Sequence, residues 1–320
     1  MTPPILTEEE AADLALFSLA QAFHRRNASL AGVDKTRLVK AVFKLADEFE
    51  LPITRCWFKF GQFVPGDRVT ENGFVRVRDA GIGPLSRRVS ADLRGLFGDM
   101  QAFSETLVPF FSQPLDEFLP DYYEREAPAP YRGIYATNFA WVSFCRRMAG
   151  VALSPGQRTH YAESAGPTVT RFHRAAAPVI RDEEARSLVL EYTSFLEALV
   201  IRFDALMADP ALDLRFWTRF FARATGAYVD IVWTLPAAQI AADTMVGPRR
   251  EEERRGMLHT TSLGERYRRE HFEPILQEAG EKGYLPSAQD MGDLVARARE
   301  GAATRAPAIE ELSYLIREEE

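Results

Sequence analysis

His160 and Glu163 stand three residues apart, which on a helix puts an imidazole and a carboxylate on one face. His173 follows on the same stretch, about 20 Å further along if the helix is continuous. A single metal ion would need a break at Gly166-Pro167 to be shared by all three. With such a break, two histidines and a glutamate resemble the ligand set of a metal-dependent hydrolase; without one, they are ordinary helix-surface groups. Asp230 is the other carboxylate of interest, because it lies inside Ala227-Tyr-Val-Asp-Ile-Val-Trp233. A carboxylate among aromatic neighbours is costly unless paired. The sequence therefore predicts a buried Asp230 with a cation from Arg219, Arg202 or another helix, as a structural ion pair or as a catalytic acid. Cys56 and Cys145, the two cysteines of the chain, each sit beside large aromatic residues and read as small core side chains. No Gly-x-Ser-x-Gly elbow and no phosphate-cradling glycine loop occurs. Neither a cofactor nor a metal is expected, and a binding or regulatory role is expected ahead of catalysis.

A second chemistry is charge and aromatic recognition between Trp57 and Arg78. From Arg55 to Arg94 there are eight basic residues (Arg55, Lys59, Arg68, Arg76, Arg78, Arg87, Arg88, Arg94) against four acidic ones (Asp67, Glu71, Asp79, Asp92). That local excess opposes the net charge of −7 of the whole chain. Asn72-Gly73 between short β-prone runs predicts a tight hairpin, since both residues tolerate positive φ. Phe74, Arg76 and Arg78 would share one face of its second strand. A basic helix followed by an arginine-bearing hairpin is the layout of a winged helix, whose wing touches phosphate. DNA is therefore a possible partner, and a protein is the leading one. Trp57, Phe58, Phe60, Phe63, Arg68, Arg76 and Arg78 are the expected partner contacts.

Leu38-Val-Lys-Ala-Val-Phe-Lys-Leu-Ala-Asp47 followed by Trp57-Phe-Lys-Phe-Gly-Gln-Phe-Val-Pro65 resembles the opening of Panacea-type (SocA-like) antitoxin domains, over about residues 36–65. Those domains carry an apolar helix of the kind KLLYLAD and then a YGP-type turn. Phe60-Gly61 would match the Tyr-Gly pair and Pro65 a later proline. Gln62 stands where the first proline would be, and the spacing from helix to turn is short. The resemblance implies a helical module that neutralises or escorts a protein partner.

The elements that must position these residues are mostly helical. Thr7 with Glu10 forms a capping box before the first helix, and Asp34 caps a second that ends before Pro52. In that second helix Leu38, Val42, Leu45, Ala46 and Phe49 make one apolar stripe. Ile53 to Val64 favours extended structure. Gly81 to Pro84 breaks the pattern, and helices are expected over 86–97, 103–111, 134–149, 156–176, 183–208 and 211–234, with Asp209-Pro210 stopping the fifth. Three further charged helices fit 262–279, 288–300 and 307–318. The fold class is thus mainly α: a helical N-terminal domain with a small β-hairpin, winged-helix-like or Panacea-like, and then a helical bundle. Residues 1–126 are read as the first domain, 127–131 as a proline-bearing linker, 132–248 as the bundle and 249–320 as a charged extension that packs on the body or folds on binding.

Hydrophobic residues are 46% of the 320, and 22 are Phe, enough apolar material for a substantial core. No apolar run is long enough to span a bilayer, and the N-terminus, with Glu8, Glu9 and Glu10, lacks a signal-peptide pattern. The expectation is a cytoplasmic protein that binds no membrane.

Overall fold

The computed structural model describes residues 6–66, 69–81, 91–150, 155–206 and 214–286. The first two helices form as their caps dictate. Helix α1 (Glu8–Arg25) begins with the reciprocal Thr7–Glu10 capping box, and α2 (Lys35–Glu48) begins with Asp34 accepting from the Arg37 amide. Strands β1 (Cys56–Phe58) and β2 (Gly61–Phe63) follow as an antiparallel pair, with Phe58 opposite Gly61 across the Lys59-Phe60 turn.

The hairpin expected at Asn72-Gly73 is instead the first turn of a helix, α3 (Glu71–Ala80). The Thr70 hydroxyl accepts from the Gly73 amide and satisfies one of the unpaired N–H groups that open a helix. Phe74 and Val77, three residues apart, are the side chains this helix buries. Phe74 packs edge-on against Phe23 of α1. Burial at i, i+3 selects the helix over the strand that the Phe-Val-Arg-Val-Arg alternation suggested.

Next come α4 (Ala91–Leu107), a 3-10 turn at Val108–Phe111, α5 (Leu115–Glu126), another 3-10 turn at Ala129–Tyr131, and α6 (Arg132–Gly150). Helices α7 (Pro155–Ala176) and α8 (Glu183–Leu206) follow, and Asp182 caps α8 by accepting from the Ala185 amide. Helix α9 (Leu214–Ala227) runs into a π-helical turn at Tyr228–Val232 and then α10 (Thr234–Thr244). The chain continues through α11 (Arg250–Thr261), the short α12 (Gly264–Tyr267), a second π-helical turn at Arg268–Phe272, and α13 (Glu273–Glu281). The expected breaks at Gly81–Pro84 and Asp209-Pro210 lie partly or wholly outside the described residues, as do the expected helices at 288–300 and 307–318.

Two large apolar cores result among the described residues, with a small cluster of Cys56, Ala241 and Met245 beside them. One gathers α1, α2, α3, α4 and the 3-10 turn at Val108–Phe111, with Leu16, Leu19, Leu38, Leu45 and Phe74 among its buried residues. The other is built from α5 onward and is rich in aromatics, including Tyr135, Trp141, Tyr192, Trp217 and Trp233. Phe43 of α2 and Trp57 of β1 belong to this second core, so the N-terminal segment supplies part of it. Cys56 and Cys145 are both buried, as their neighbours suggested. No helix among the described residues is long and apolar enough to cross a membrane.

The charged segment after residue 248 packs on the body as far as it is described. Helix α11 lies along α10, where Arg254 donates to the Ala242 carbonyl. Arg249 donates to the Glu8 carboxylate at 2.8 Å, while its amide donates to the Thr54 hydroxyl. Arg268 pairs with Glu191 of α8. Just before α11, Arg55 and Val246 exchange two backbone hydrogen bonds of 2.9 Å. Gly247, at φ +109°, lets the chain turn so tightly there that a Cβ would lie 2.5 Å from Thr54 Cα.

Gly247→Ala should therefore destabilise the fold by about 1 kcal/mol or more, from positive φ and the clash together. Gly256→Ala, on α11 where a Cβ meets open space, should stabilise it by about 0.5–1 kcal/mol. Urea unfolding of the two variants beside the parent protein checks both signs.

Candidate functional site

The Lys59-Phe60 turn is held by its backbone. Tyr135 of α6 donates its hydroxyl to the Phe58 carbonyl at 2.7 Å, Trp233 donates its indole N–H to the Lys59 carbonyl at 2.9 Å, and Lys40 of α2 donates its ammonium to the Phe60 carbonyl at 2.8 Å. Three consecutive carbonyls are thus captured by three different elements. On the strand before them, the Trp57 amide donates to the Thr244 hydroxyl of α10. Gly61 closes the turn at φ +92°, with Tyr123, Lys40 and Trp57 so near that a Cβ would crowd all three.

This clamp leaves one large side chain outside. Phe60 is 51% exposed, whereas Trp57 is 4% exposed, stacked on Tyr122 and tilted against Tyr135. Phe58 and Phe63 are half-buried and pack on each other with ring centroids 5.3 Å apart. Of the aromatic residues expected to meet a partner, Phe60 is the one the fold presents.

Phe60 stands at the edge of a cleft of about 900 Å³. One wall is α5, through Leu119, Pro120 and Glu124; the other is a stripe of α6. Ala136, Phe139, Ala140, Ser143 and Arg147 recur there at three-and-four spacing, with Arg146 beside the last. The opposite face of α6 carries Tyr135, Trp141, Cys145 and Met148 into the core. Helix α7 adds Thr168 and Arg171. The floor is therefore apolar, with Arg146 and Arg147 near the C-terminus of α6 and Arg171 on α7. Arg147 donates back to the Ser143 carbonyl, and among the described residues no carboxylate is paired with Arg146 or Arg171. The result is a surface suited to an anionic group joined to an apolar one.

The arginines expected to form a wing are placed elsewhere. Arg76 makes a two-pronged pair with Asp13 of α1, at 2.5 and 3.1 Å, and Arg78 pairs with its neighbour Asp79. Both are on α3, each matched by a carboxylate, so the basic ribbon that suggested phosphate contact does not form there. Arg68 lies outside the described residues, as do Arg87 and Arg88. Helix α7 is continuous through Gly166-Pro167, so the break needed to bring His160 and His173 to one ion is absent. His173 instead shares a hydrogen bond of 2.6 Å with Thr193 of α8. The side chains of His160 and Glu163 lie outside the described residues.

Asp230 is exposed, contrary to the burial expected of it. It lies in the π-helical turn at Tyr228–Val232, on the side of the helix away from the core. Tyr228, Val229, Val232 and Trp233 point inward and Asp230 outward. Arg202, one of the cations expected beside it, donates to the Gly283 carbonyl, and Lys59 donates to the backbone carbonyl of Asp230. The cleft residues on α6 were missed because that helix reads simply as a bundle helix. The available signal was its small-residue stripe ending in Arg146-Arg147.

Lys40 is the unusual group of this region. It is 2% exposed, its ammonium lies 5.2 Å from the Tyr122 ring centre, and no carboxylate is paired with it. Burial pushes it down from 10.5 to about 7, opposed only by the more distant charge of Asp34. The same burial pushes the Tyr122 phenol up, so that ring stays neutral beside it.

Comparison with known proteins places the chain in a family. It belongs to the one described as "Domain of unknown function (DUF8098)", which matches residues 90–300, well over half its length. The matched stretch includes α5, α6 and α7, the helical walls of the cleft. No curated protein and no solved structure matches the chain.

Lys40 carries a pH signature. Between about pH 7 and 10.5 it is neutral in the folded chain and charged in the unfolded one, so stability rises with pH across that window. Below pH 7 it is charged in both states and the whole cost of burying it remains. Relative to Lys40→Met, the parent protein should gain up to about 1.4 kcal/mol of stability per pH unit in the window. Urea unfolding at several pH values measures the difference; parallel curves would refute it.

Proposed function

We propose that this DUF8098 protein is a non-catalytic binding protein that recognises an acidic segment of a protein partner through Phe60 and the cleft beside it. The role is that of an adaptor or an antitoxin-like module. The observation that carries this reading is the fixed display of an exposed aromatic ring next to an arginine-edged cleft. Aromatic anchors supply much of the energy of protein interfaces, and holding one rigid before binding lowers the ordering cost that association would impose. Arg146, Arg147 and Arg171 complement carboxylates, while Leu119, Pro120 and Phe139 suit apolar side chains of the same segment. The segment resembling Panacea-type domains comprises α2 and the hairpin, with Phe60 and Gly61 in the turn itself. That supports a partner-binding role for the same surface.

The test is recovery of the tagged protein from its own cells. A stoichiometric companion should copurify, and Phe60→Ala should weaken it by roughly thirtyfold, the effect of an anchor worth about 2 kcal/mol. The double variant Arg146→Glu, Arg171→Glu should weaken it by tenfold or more and flatten the dependence of the residual binding on salt. Recovery of no companion, or full retention by both variants at unchanged melting temperature, would remove the proposal.

A further inference from the structure

The cleft beside Phe60 also constrains the shape of what fills it. Its walls are helices α5, α6 and α7, and of the hairpin only Phe60 lines it among the described residues, so no strand edge borders the space. The helical walls keep their own main-chain bonds, apart from the Asp116 carbonyl, which Pro120 has no N–H to serve. Hydroxyls of the lining are committed as well: Thr137 donates to the Gly133 carbonyl at 2.7 Å and Thr168 to the Ser164 carbonyl at 2.8 Å. An extended segment laid against Leu119, Phe139 and Ala140 would therefore leave much of its backbone unmatched, which is costly. A helix satisfies its own backbone and needs only side-chain contact. Ala136, Ala140 and Ser143, at steps of four and three along α6, give it a low floor for close approach. The positive charges of the cleft are also spaced. Gly133 at the start of α6 lies against Ala175 at the end of α7, a Cβ there being 3.8 Å from the Ala175 Cβ, so the two helices run antiparallel. Arg171, about one turn before Ala175, is thus level with Thr137. Arg146 and Arg147 lie about ten residues further along α6, or roughly 14 Å at the rise of a helix.

We infer that the segment received by this cleft is an amphipathic α-helix lying along α6, with acidic residues about ten or eleven positions apart. One acid meets Arg171 and the other the Arg146–Arg147 pair, while apolar residues between them face Phe139 and Ala140. Glu124 on the α5 wall keeps acids off that flank. A strand would span the same distance in about four or five residues, so the spacing of the acids separates the two shapes. This inference rests on the cleft being the partner-binding site, as proposed above.

The probe is a phage-displayed library of random peptides of about 16 residues, enough for four helical turns, panned against the full chain. Enriched peptides should share two Asp or Glu residues about ten or eleven positions apart, with apolar residues at helical spacing between them. A synthetic copy of one should lose about a hundredfold in affinity when a central residue on its solvent face becomes Pro, and little when the same residue becomes Ala. On the protein side, Ala140→Trp, at an exposed position on the cleft floor, should abolish peptide binding at unchanged melting temperature. Acids enriched only about four or five positions apart, tolerance of the proline, undiminished binding to Ala140→Trp, or no enrichment at all would each overturn the helical inference. Recovery of a companion that Phe60→Ala releases would then leave the partner-binding reading standing, so the two failures are told apart.

Discussion

Three adjacent backbone carbonyls at the Lys59-Phe60 turn are the point on which the architecture depends. A two-stranded hairpin of three-residue strands has no independent stability, and a buried carbonyl left unmatched is costly. Here each acceptor takes a donor from a different part of the chain: Lys40 from α2, Tyr135 from α6, and Trp233 from the junction of the π-helical turn with α10. The hairpin thereby joins the N-terminal core to the aromatic core, and Phe43 and Trp57 extend the junction with apolar contact. The bridge between Arg55 and Val246 and the Glu8–Thr54–Arg249 bonds continue it to the start of α11. Glu8 is held below its ordinary range even though burial disfavours its charge, because the hydrogen bonds from Arg249 and Thr54 outweigh that penalty.

The same constraint explains why the exposed ring is Phe60. With Trp57 inside the second core and Phe58 and Phe63 covering each other, the strand side chains are committed to packing. The turn cannot rotate to bury Phe60 without breaking its carbonyl bonds. The cleft beside it has a related origin. Helix α6 spends its bulky face, Tyr135, Trp141 and Met148, on the core, and its small opposite face cannot fill the space toward α5. A rigid display and an unfilled groove are thus two consequences of one packing arrangement, and the arginines that line it give that groove a sign.

Much of the helical layout was written in local signals: Thr7 and Glu10, Asp34 and the apolar stripe of α2 all act over one or two turns. The location of the hairpin was not. Asn72-Gly73 satisfies the local rule for a tight turn, yet Thr70 caps a helix there and Phe74 and Val77 draw it onto α1. The Lys59-Phe60-Gly61 turn offers little local signal beyond its glycine. Its stabilising donors stand 20, 77 and 174 residues away in sequence. Propensity reads neighbours, and this turn is made by residues that are not neighbours.

Asp230 shows a second limit of a local reading. Its expected burial rested on the aromatic residues around it in sequence, not on helical phase. Positions 228, 229, 232 and 233 lie on one side of a helix, and position 230 lies on the other. Tyr228, Val229, Val232 and Trp233 take the core side, and Asp230 faces out, where its charge keeps its hydration. An apolar sequence neighbourhood is therefore no measure of burial on a helix, because the residues next in sequence to a buried aromatic pair are the ones the helix turns away.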